Sequence, residues 1–293
     1  MIPAAFDYIT PQSLDEAVRA LAAHGEEAKL LAGGHSLLPL LKLRLANPKL
    51  LIDLTKIPGL SKISQQDDKI VVGALATHYQ IESSELLKAK CPLLPETARA
   101  IGDVQVRNRG TIGGSLTHAD PSADWPAAIL ALGGELKLSG TRGERRIVAE
   151  EFFLGAMTTA IEPTEILTEI YVPVSSRRCG TAYVKMAQQA SGFAIIGVAV
   201  WLRLAQNGRC EDVGVGVTGL TDKPFRARPV EERLRGNKLI PKLIEESAAR
   251  VTESSDPLED LHASAKFRAH LAQVYTSRAL QEAAKSAASR RGR

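Results

Sequence analysis

Cysteine is scarce, and none of it is arranged to hold a metal. Cys91, Cys179 and Cys210 are far apart, and no pair has C-x-x-C spacing. An iron–sulfur cluster or a thiolate zinc site therefore has no ligand set in this chain. Three scattered cysteines also argue against a disulfide framework and for a reducing compartment. Neither sign of charge dominates. The 37 basic and 33 acidic residues leave a net charge of +4, too even to imply nucleic acid. The one basic concentration, Ser289-Arg290-Arg291-Gly292-Arg293, reads as a solvated terminus. The longest apolar run, residues 194–202, is far too short to span a bilayer, so no transmembrane segment is expected. The opening Met1-Ile2-Pro3-Ala4-Ala5-Phe6-Asp7 lacks a basic region followed by an apolar stretch. No signal peptide is read, and a cytoplasmic location is expected. Neither glycine turn, residues 32–36 or 111–115, matches G-x-G-x-x-G or G-x-x-x-x-G-K-[ST], so an ordinary Rossmann or P-loop reading gets no support from them. Internal repeats and low-complexity tracts are missing too.

What the chain does contain is two glycine turns. Ala32-Gly33-Gly34-His35-Ser36 follows Lys29-Leu30-Leu31, and Thr111-Ile112-Gly113-Gly114-Ser115 follows Arg107-Asn108-Arg109. A Gly-Gly pair tolerates positive φ and lets a ligand approach the backbone with no Cβ in the way. Consecutive free N–H groups in such a turn make a concave anion site. Two such turns can hold the two phosphates of a dinucleotide from opposite sides. Either pair by itself is also simply a tight turn. Ser36 and Ser115 add hydroxyl donors, and Arg107 and Arg109 are cations that can balance two phosphates. The same arginines suit a surface loop or a subunit contact. His35 and His118 flank the turns without a metal partner set. No catalytic residue and no metal ligand is read on this chain.

At 293 residues, with 44% hydrophobic and 24% charged, the chain suits a soluble globular protein of about two domains. Ser13-x-x-Glu16 is a capping box that opens a helix closed by His24-Gly25. Residues 29–32 read as a strand, 37–44 as a helix and 50–54 as a strand, a small α/β unit. A second block begins with a strand at 69–74, a Thr77 cap and a helix at 93–101. Residues 122–132 read as a helix stopped by Gly133-Gly134, 135–148 as a hairpin, and 165–172 as a strand. Residues 175–178 read as a linker. Strands are then expected at 181–187, 193–204 and 213–219, with an Asn207-Gly208 turn, and helices at 228–234, 241–251 and 264–284. Strands followed by helices make the C-terminal part α+β.

These residues together resemble the flavoprotein subunits of the molybdenum hydroxylases. The carbon monoxide dehydrogenase medium subunits are the nearer branch, and the FAD domain of xanthine dehydrogenase is more distant. The pieces run in order along most of the chain: Ile2-Pro3 to Phe6-Asp7-Tyr8, Gly-Gly-His-Ser with Lys42-x-Arg44, and Leu51-Ile52-Asp53-Leu54. They continue through Thr111 to Ser115, Ala119-Asp120-Pro121-Ser122-Ala123-Asp124, Glu165-Ile166-Leu167 and Tyr183-Val184-Lys185. The resemblance implies an α+β protein. An FAD-binding domain of the vanillyl-alcohol-oxidase-like, PCMH type would cover 1–175, with subdomains about 1–55 and 56–175. A smaller α+β domain of the carbon monoxide dehydrogenase flavoprotein type would cover 176–293.

The resemblance also implies site residues. Ala32, Gly33, Gly34, His35, Ser36 and Leu37, with Thr111, Gly113, Gly114 and Ser115, would clasp the pyrophosphate and ribityl region of FAD. Asp124 would accept hydrogen bonds from hydroxyl or adenine-side groups, although it is also a first-turn carboxylate that a helix dipole favours. Leu167 would pack on the adenine side, Lys185 would sit near the flavin, and Phe193 would lie beside the isoalloxazine. Ser115 stands where the family usually shows Asn, and Phe193 where it shows Tyr. The implied role is electron transfer, from [2Fe-2S] clusters on a small partner subunit to an external acceptor. The molybdenum cofactor belongs to a large partner subunit, and the assembly is expected to be a dimer of heterotrimers. A stand-alone FAD-dependent oxidase with its own substrate site is the alternative.

Overall fold

The computed structural model describes residues 2–176, 178–253 and 255–289. Arg177 of the expected linker, and Arg290 to Arg293 of the basic tail, lie outside the described residues. The first part of the chain forms β1 (Asp7–Ile9), α1 (Leu14–His24), β2 (Ala28–Leu31), α2 (Leu37–Lys42) and β3 (Leu50–Asp53). The strands lie in the order β1-β3-β2 and pair in parallel, as crossovers through helices require. Ser13 Oγ accepts the Glu16 N–H at 3.2 Å, so α1 begins where its cap predicts. The reciprocal bond is displaced by one residue, because Glu16 Oε2 accepts from the Gln12 N–H. Ala17, Val18 and Leu21 of α1 form one apolar core with Leu50 and Ile52 of β3. Helix α2 ends two residues earlier than expected, since Arg44 turns to φ 58°.

The second part carries β4 (Ile63–Gln66) and β5 (Lys69–Gly73), then α3 (His78–Ser83), α4 (Glu85–Lys90), α5 (Leu93–Arg99), α6 (Val104–Arg109), α7 (Ile112–His118) and α8 (Asp124–Ala131). After them come β6 (Glu135–Gly140), β7 (Gly143–Val148), α9 (Ala149–Phe152), the small β8 (Phe153–Gly155) and β9 (Thr158–Thr159) pair, and β10 (Ile166–Pro173). The sheet β4-β5-β10-β6-β7 is antiparallel throughout. Thr77 caps α3 with a complete capping box to Gln80.

The third part is β11 (Cys179–Ala187), β12 (Ala194–Leu204), β13 (Cys210–Thr218), β14 (Phe225–Arg226), α10 (Arg228–Leu234), α11 (Pro241–Ala248) and α12 (Ala265–Ser289). Its strands form an antiparallel sheet in chain order. The helix expected at 241–251 is split, with a 3-10 turn at Ala249–Thr252. Two close approaches clamp this sheet. A Cβ on Gly180 would meet the Ala283 carbonyl of α12 at 1.9 Å, and Cβ atoms on Gly214 and Gly216 would meet the Ala131 and Ala127 carbonyls of α8 at 1.9 and 2.0 Å. Helix α8, at whose start Asp124 stands, is thereby held tightly on the C-terminal sheet.

Candidate functional site

A cleft of about 470 Å³ opens between the first and second parts of the chain. Its wall includes both glycine segments, residues 32–37 and most of 110–115, with Asp124, Leu167 and Phe193. Of the residues singled out in the sequence, Arg107, Arg109 and Lys185 do not reach this wall.

The first glycine segment is a true turn, with Gly34 at φ 80°. It follows β2 and opens α2, and Ser36 makes no side-chain cap. Among the described residues, the backbone N–H groups of residues 33–37 have no acceptor. Such a run of unpartnered donors beside a cleft is an anion site. Gly33 also makes a close approach of its own. A Cβ there would lie 2.1 Å from the Arg109 carbonyl oxygen and 2.9 Å from Gly110 Cα. Its bare Cα lets the first turn touch the backbone just before the second. Gly33→Ala should push the two apart, at a cost of about 1–3 kcal/mol, and loosen the retained ligand. An unchanged urea midpoint with unchanged flavin retention would show that this junction has room.

The second glycine segment differs from expectation. It is the first turn of α7, not a loop, and neither Gly113 nor Gly114 has positive φ. Its N–H groups are already used. Ile112 and Gly113 donate to the Ala76 and Ala74 carbonyls at 3.0 and 2.8 Å, and Gly114 donates to Thr111 Oγ1 at 3.1 Å. A Cβ on Gly113 would meet Ala74 Cβ at 2.5 Å. This glycine pair thus packs α7 on the end of β5 despite poor helix propensity. It offers the cleft a smooth surface and the hydroxyl of Ser115.

Asp124 is buried at the start of α8. Its Oδ1 accepts from the Tyr183 hydroxyl at 2.5 Å and from Lys185 Nζ at 2.9 Å. Burial raises the Asp124 pKa, while the Lys185 charge and both hydrogen bonds act against that rise. Burial and the Asp124 carboxylate together push the Tyr183 hydroxyl well above its ordinary value. Lys185 also donates to the Gly192 carbonyl at 2.7 Å. The lysine expected beside a flavin therefore stands behind Asp124 and ties it to the loop that carries Phe193. That loop closes through Gln188 N–H to the Phe193 carbonyl at 2.8 Å, and leaves the Phe193 ring exposed at the cleft edge.

Arg107 is not available to a ligand in the way its charge suggested. It pairs with Glu82 at 2.9 Å and donates to the Ile101 and Gly102 carbonyls at 3.1 Å each. Arg109 is exposed, and its charge helps to lower the Asp53 pKa. Burial opposes that ionisation, but the Tyr8 hydroxyl, Thr55 and Arg109 outweigh it.

Sequence reasoning missed His78. It is 4% exposed, lines the cleft, and accepts the Trp125 indole N–H on Nδ1 at 3.0 Å. Burial, with help from the charges of His35 and Arg107, brings its pKa down to about 4. The one signal available was its place directly after the Thr77 cap. Ile101, Gly110, His118 and Asp120 also join the wall.

Two α/β units with a cleft between them, one edge rich in free backbone donors and the walls apolar, define a dinucleotide-binding class of protein. Residues 4–175 match the family described as the FAD binding domain in molybdopterin dehydrogenase, and residues 181–283 match the CO dehydrogenase flavoprotein C-terminal domain. The chain belongs to this family of molybdopterin-dehydrogenase flavoproteins. It is 38% identical to the carbon monoxide dehydrogenase medium chain of Hydrogenophaga pseudoflava over 97% of this chain and 98% of that one. The solved carbon monoxide dehydrogenase of the same organism superposes with a TM-score of 0.94 at 38% identity, over 97% of this chain and 98% of that chain. The glyceraldehyde dehydrogenase medium chain of Sulfolobus acidocaldarius is 36% identical over 97% of this chain and 100% of its own length. The putative xanthine dehydrogenase FAD-binding subunit of Escherichia coli is more distant, 27% identical over 96% of each.

Proposed function

We propose that this chain is the FAD-carrying electron-transfer subunit of a molybdenum hydroxylase. Its partners are a large subunit with the molybdenum cofactor and a small subunit with [2Fe-2S] clusters, assembled as a dimer of heterotrimers. Bound FAD supplies the redox chemistry, accepting electrons from the clusters and releasing them to an external acceptor. The observation that carries the reading is the run of unpartnered N–H groups at residues 33–37, which fits a pyrophosphate. The cleft beside it is shared by both subdomains, as an extended dinucleotide needs.

In this reading the turn at 33–37 binds the pyrophosphate and Ser115 adds a hydroxyl. Asp124, held by Tyr183 and Lys185, orients hydroxyl or adenine-side groups of the cofactor. Leu167 packs on the adenine side, and Phe193 covers the isoalloxazine edge. Lys185 acts through Asp124. The relatives' names span carbon monoxide and glyceraldehyde oxidation, in keeping with a substrate site on the partner. Arg109 and Phe193, both exposed, are the edge that meets the cluster-bearing subunit, while Arg107 is committed to its own fold. Three free, buried cysteines suit a cytoplasmic protein. No helix among the described residues is long and apolar enough to cross a membrane.

The test is to co-express the chain with its small and large subunits and purify through a tag on this one. Acid denaturation should release one non-covalent FAD per chain, identified by mass. The flavin of the complex should bleach when the large subunit's substrate is added. The isolated chain should be inert toward that substrate. FMN in place of FAD, or substrate-driven bleaching in this chain alone, would overturn the reading, the latter in favour of a stand-alone oxidase.

A further inference from the structure

His78 stands where the two glycine segments meet. Its backbone N–H donates to the Gly110 carbonyl at 2.9 Å, and Gly110 Cα is one of the atoms that a Cβ on Gly33 would meet, at 2.9 Å. The imidazole is buried, yet it is part of the cleft wall. Its two nitrogens have opposite fates. Nδ1 is an acceptor, because the indole N–H of Trp125, itself fully buried, can only donate. A neutral imidazole with an acceptor at Nδ1 carries its proton on Nε2. Nε2 has no partner among the described residues, and it is not one of the fully enclosed unpartnered atoms. A Cβ on Gly110 would come within 2.6 Å of it, so the absence of a side chain there keeps Nε2 open.

We infer that His78 is a cofactor-positioning residue: Trp125 locks its tautomer so that Nε2–H donates to a pyrophosphate oxygen of the bound dinucleotide. This rests on the FAD reading above. The place of the ring favours the pyrophosphate over the ribityl chain. It touches the backbone junction next to the turn at residues 33–37, whose free N–H groups mark the anion end of the cleft. A neutral donor also differs in kind from a cation. It fixes the direction of one oxygen without adding charge, and the depressed pKa keeps it neutral across the working range.

The tautomer is tested first, on the apoprotein, by ¹⁵N shifts of the His78 ring. The Nε2–H form is expected in the native chain, and a Trp125→Phe variant should lose that fixed preference. An Nδ1–H ring in the native chain would overturn the assignment. Binding is then measured for FAD, ADP and riboflavin by calorimetry. His78→Gln places an amide N–H near Nε2 and should stay within a few-fold of the native FAD affinity. His78→Asn keeps an acceptor for Trp125 but loses the cleft donor. It should bind FAD and ADP about tenfold or more weakly, with riboflavin unaffected. Thermal melts of the two variants establish that both are folded. Native-like FAD affinity in folded His78→Asn, or equal losses in the two variants, would overturn the inference, and a loss confined to riboflavin would overturn the choice of pyrophosphate. Failure of the native apoprotein to bind FAD at all would strike the functional reading itself, and the ring-nitrogen result would stand apart from it.

Discussion

Lys185→Met should destabilise the apoprotein by about 3–5 kcal/mol in denaturant unfolding. The Lys185 and Asp124 side chains are only 9% and 6% exposed, so neither charge has water to fall back on. Methionine fills a similar volume and keeps the packing. What it removes is the cation that holds the Asp124 carboxylate at 2.9 Å and the donor to the Gly192 carbonyl. The carboxylate then keeps the Tyr183 hydroxyl and its own backbone N–H but no cation, and its already raised pKa climbs further. Protonation of the Asp124 carboxyl limits the loss. Adding Asp124→Asn to Lys185→Met should recover most of it, because the orphaned charge is gone. A single-variant loss under about 1 kcal/mol would place the pair in effective contact with solvent. Flavin retention should fall in the single variant as well, since Asp124 and the Phe193 loop share this one lysine.

The apoprotein should also lose stability between pH 6.5 and 4 through His78. The free imidazole value of 6.5 is brought down to about 4 in the fold. Through that window the unfolded chain takes up a proton that the native one refuses, so stability falls as pH falls. The contribution is complete above about 6.5 and gone below about 4. It amounts to about 3 kcal/mol at roughly 1.4 kcal/mol per pH unit. The groups facing the ring are the Trp125 indole, the Gly110 backbone, His35 and Arg107, and the last two both disfavour the imidazolium. Asp124 titrates with the opposite sign, so the comparison is between native chain and His78→Gln across the same pH series. The variant's profile should be flatter by that amount. Parallel profiles would mean that His78 accepts its proton without penalty.

Much of this was readable from the chain alone. The Ser13 and Thr77 caps, the Gly133-Gly134 stop and the Asn207-Gly208 turn act within a few residues, so local chemistry is enough to place them. The alternation of short strands and helices marked the α/β character of the first part. Residues near both glycine segments, with Asp124, Leu167 and Phe193, do line one cleft. The resemblance carried by short motifs in order along the chain led to the family that the comparisons then showed.

Only the tertiary structure decided what each motif does. Two Gly-Gly pairs look alike in sequence, yet one keeps its N–H groups free and the other spends them on Ala74 and Ala76. The difference lies in carbonyls brought in from the turn after β5, nearly forty residues away. Lys185 and Arg107 were read as cations for a ligand, but the carboxylates of Asp124 and Glu82 and nearby carbonyls claimed them first. An ion's partner depends on what folding places within reach and how little water remains there. His78 carried no motif at all. Its burial, its tautomer and its open nitrogen come from Trp125, distant in sequence, and from the missing side chain of Gly110. Sequence by itself determined the local turns, the element pattern and the kind of protein. The availability of each donor and the charge state of each group depend on long-range contacts, which short-range pattern does not encode.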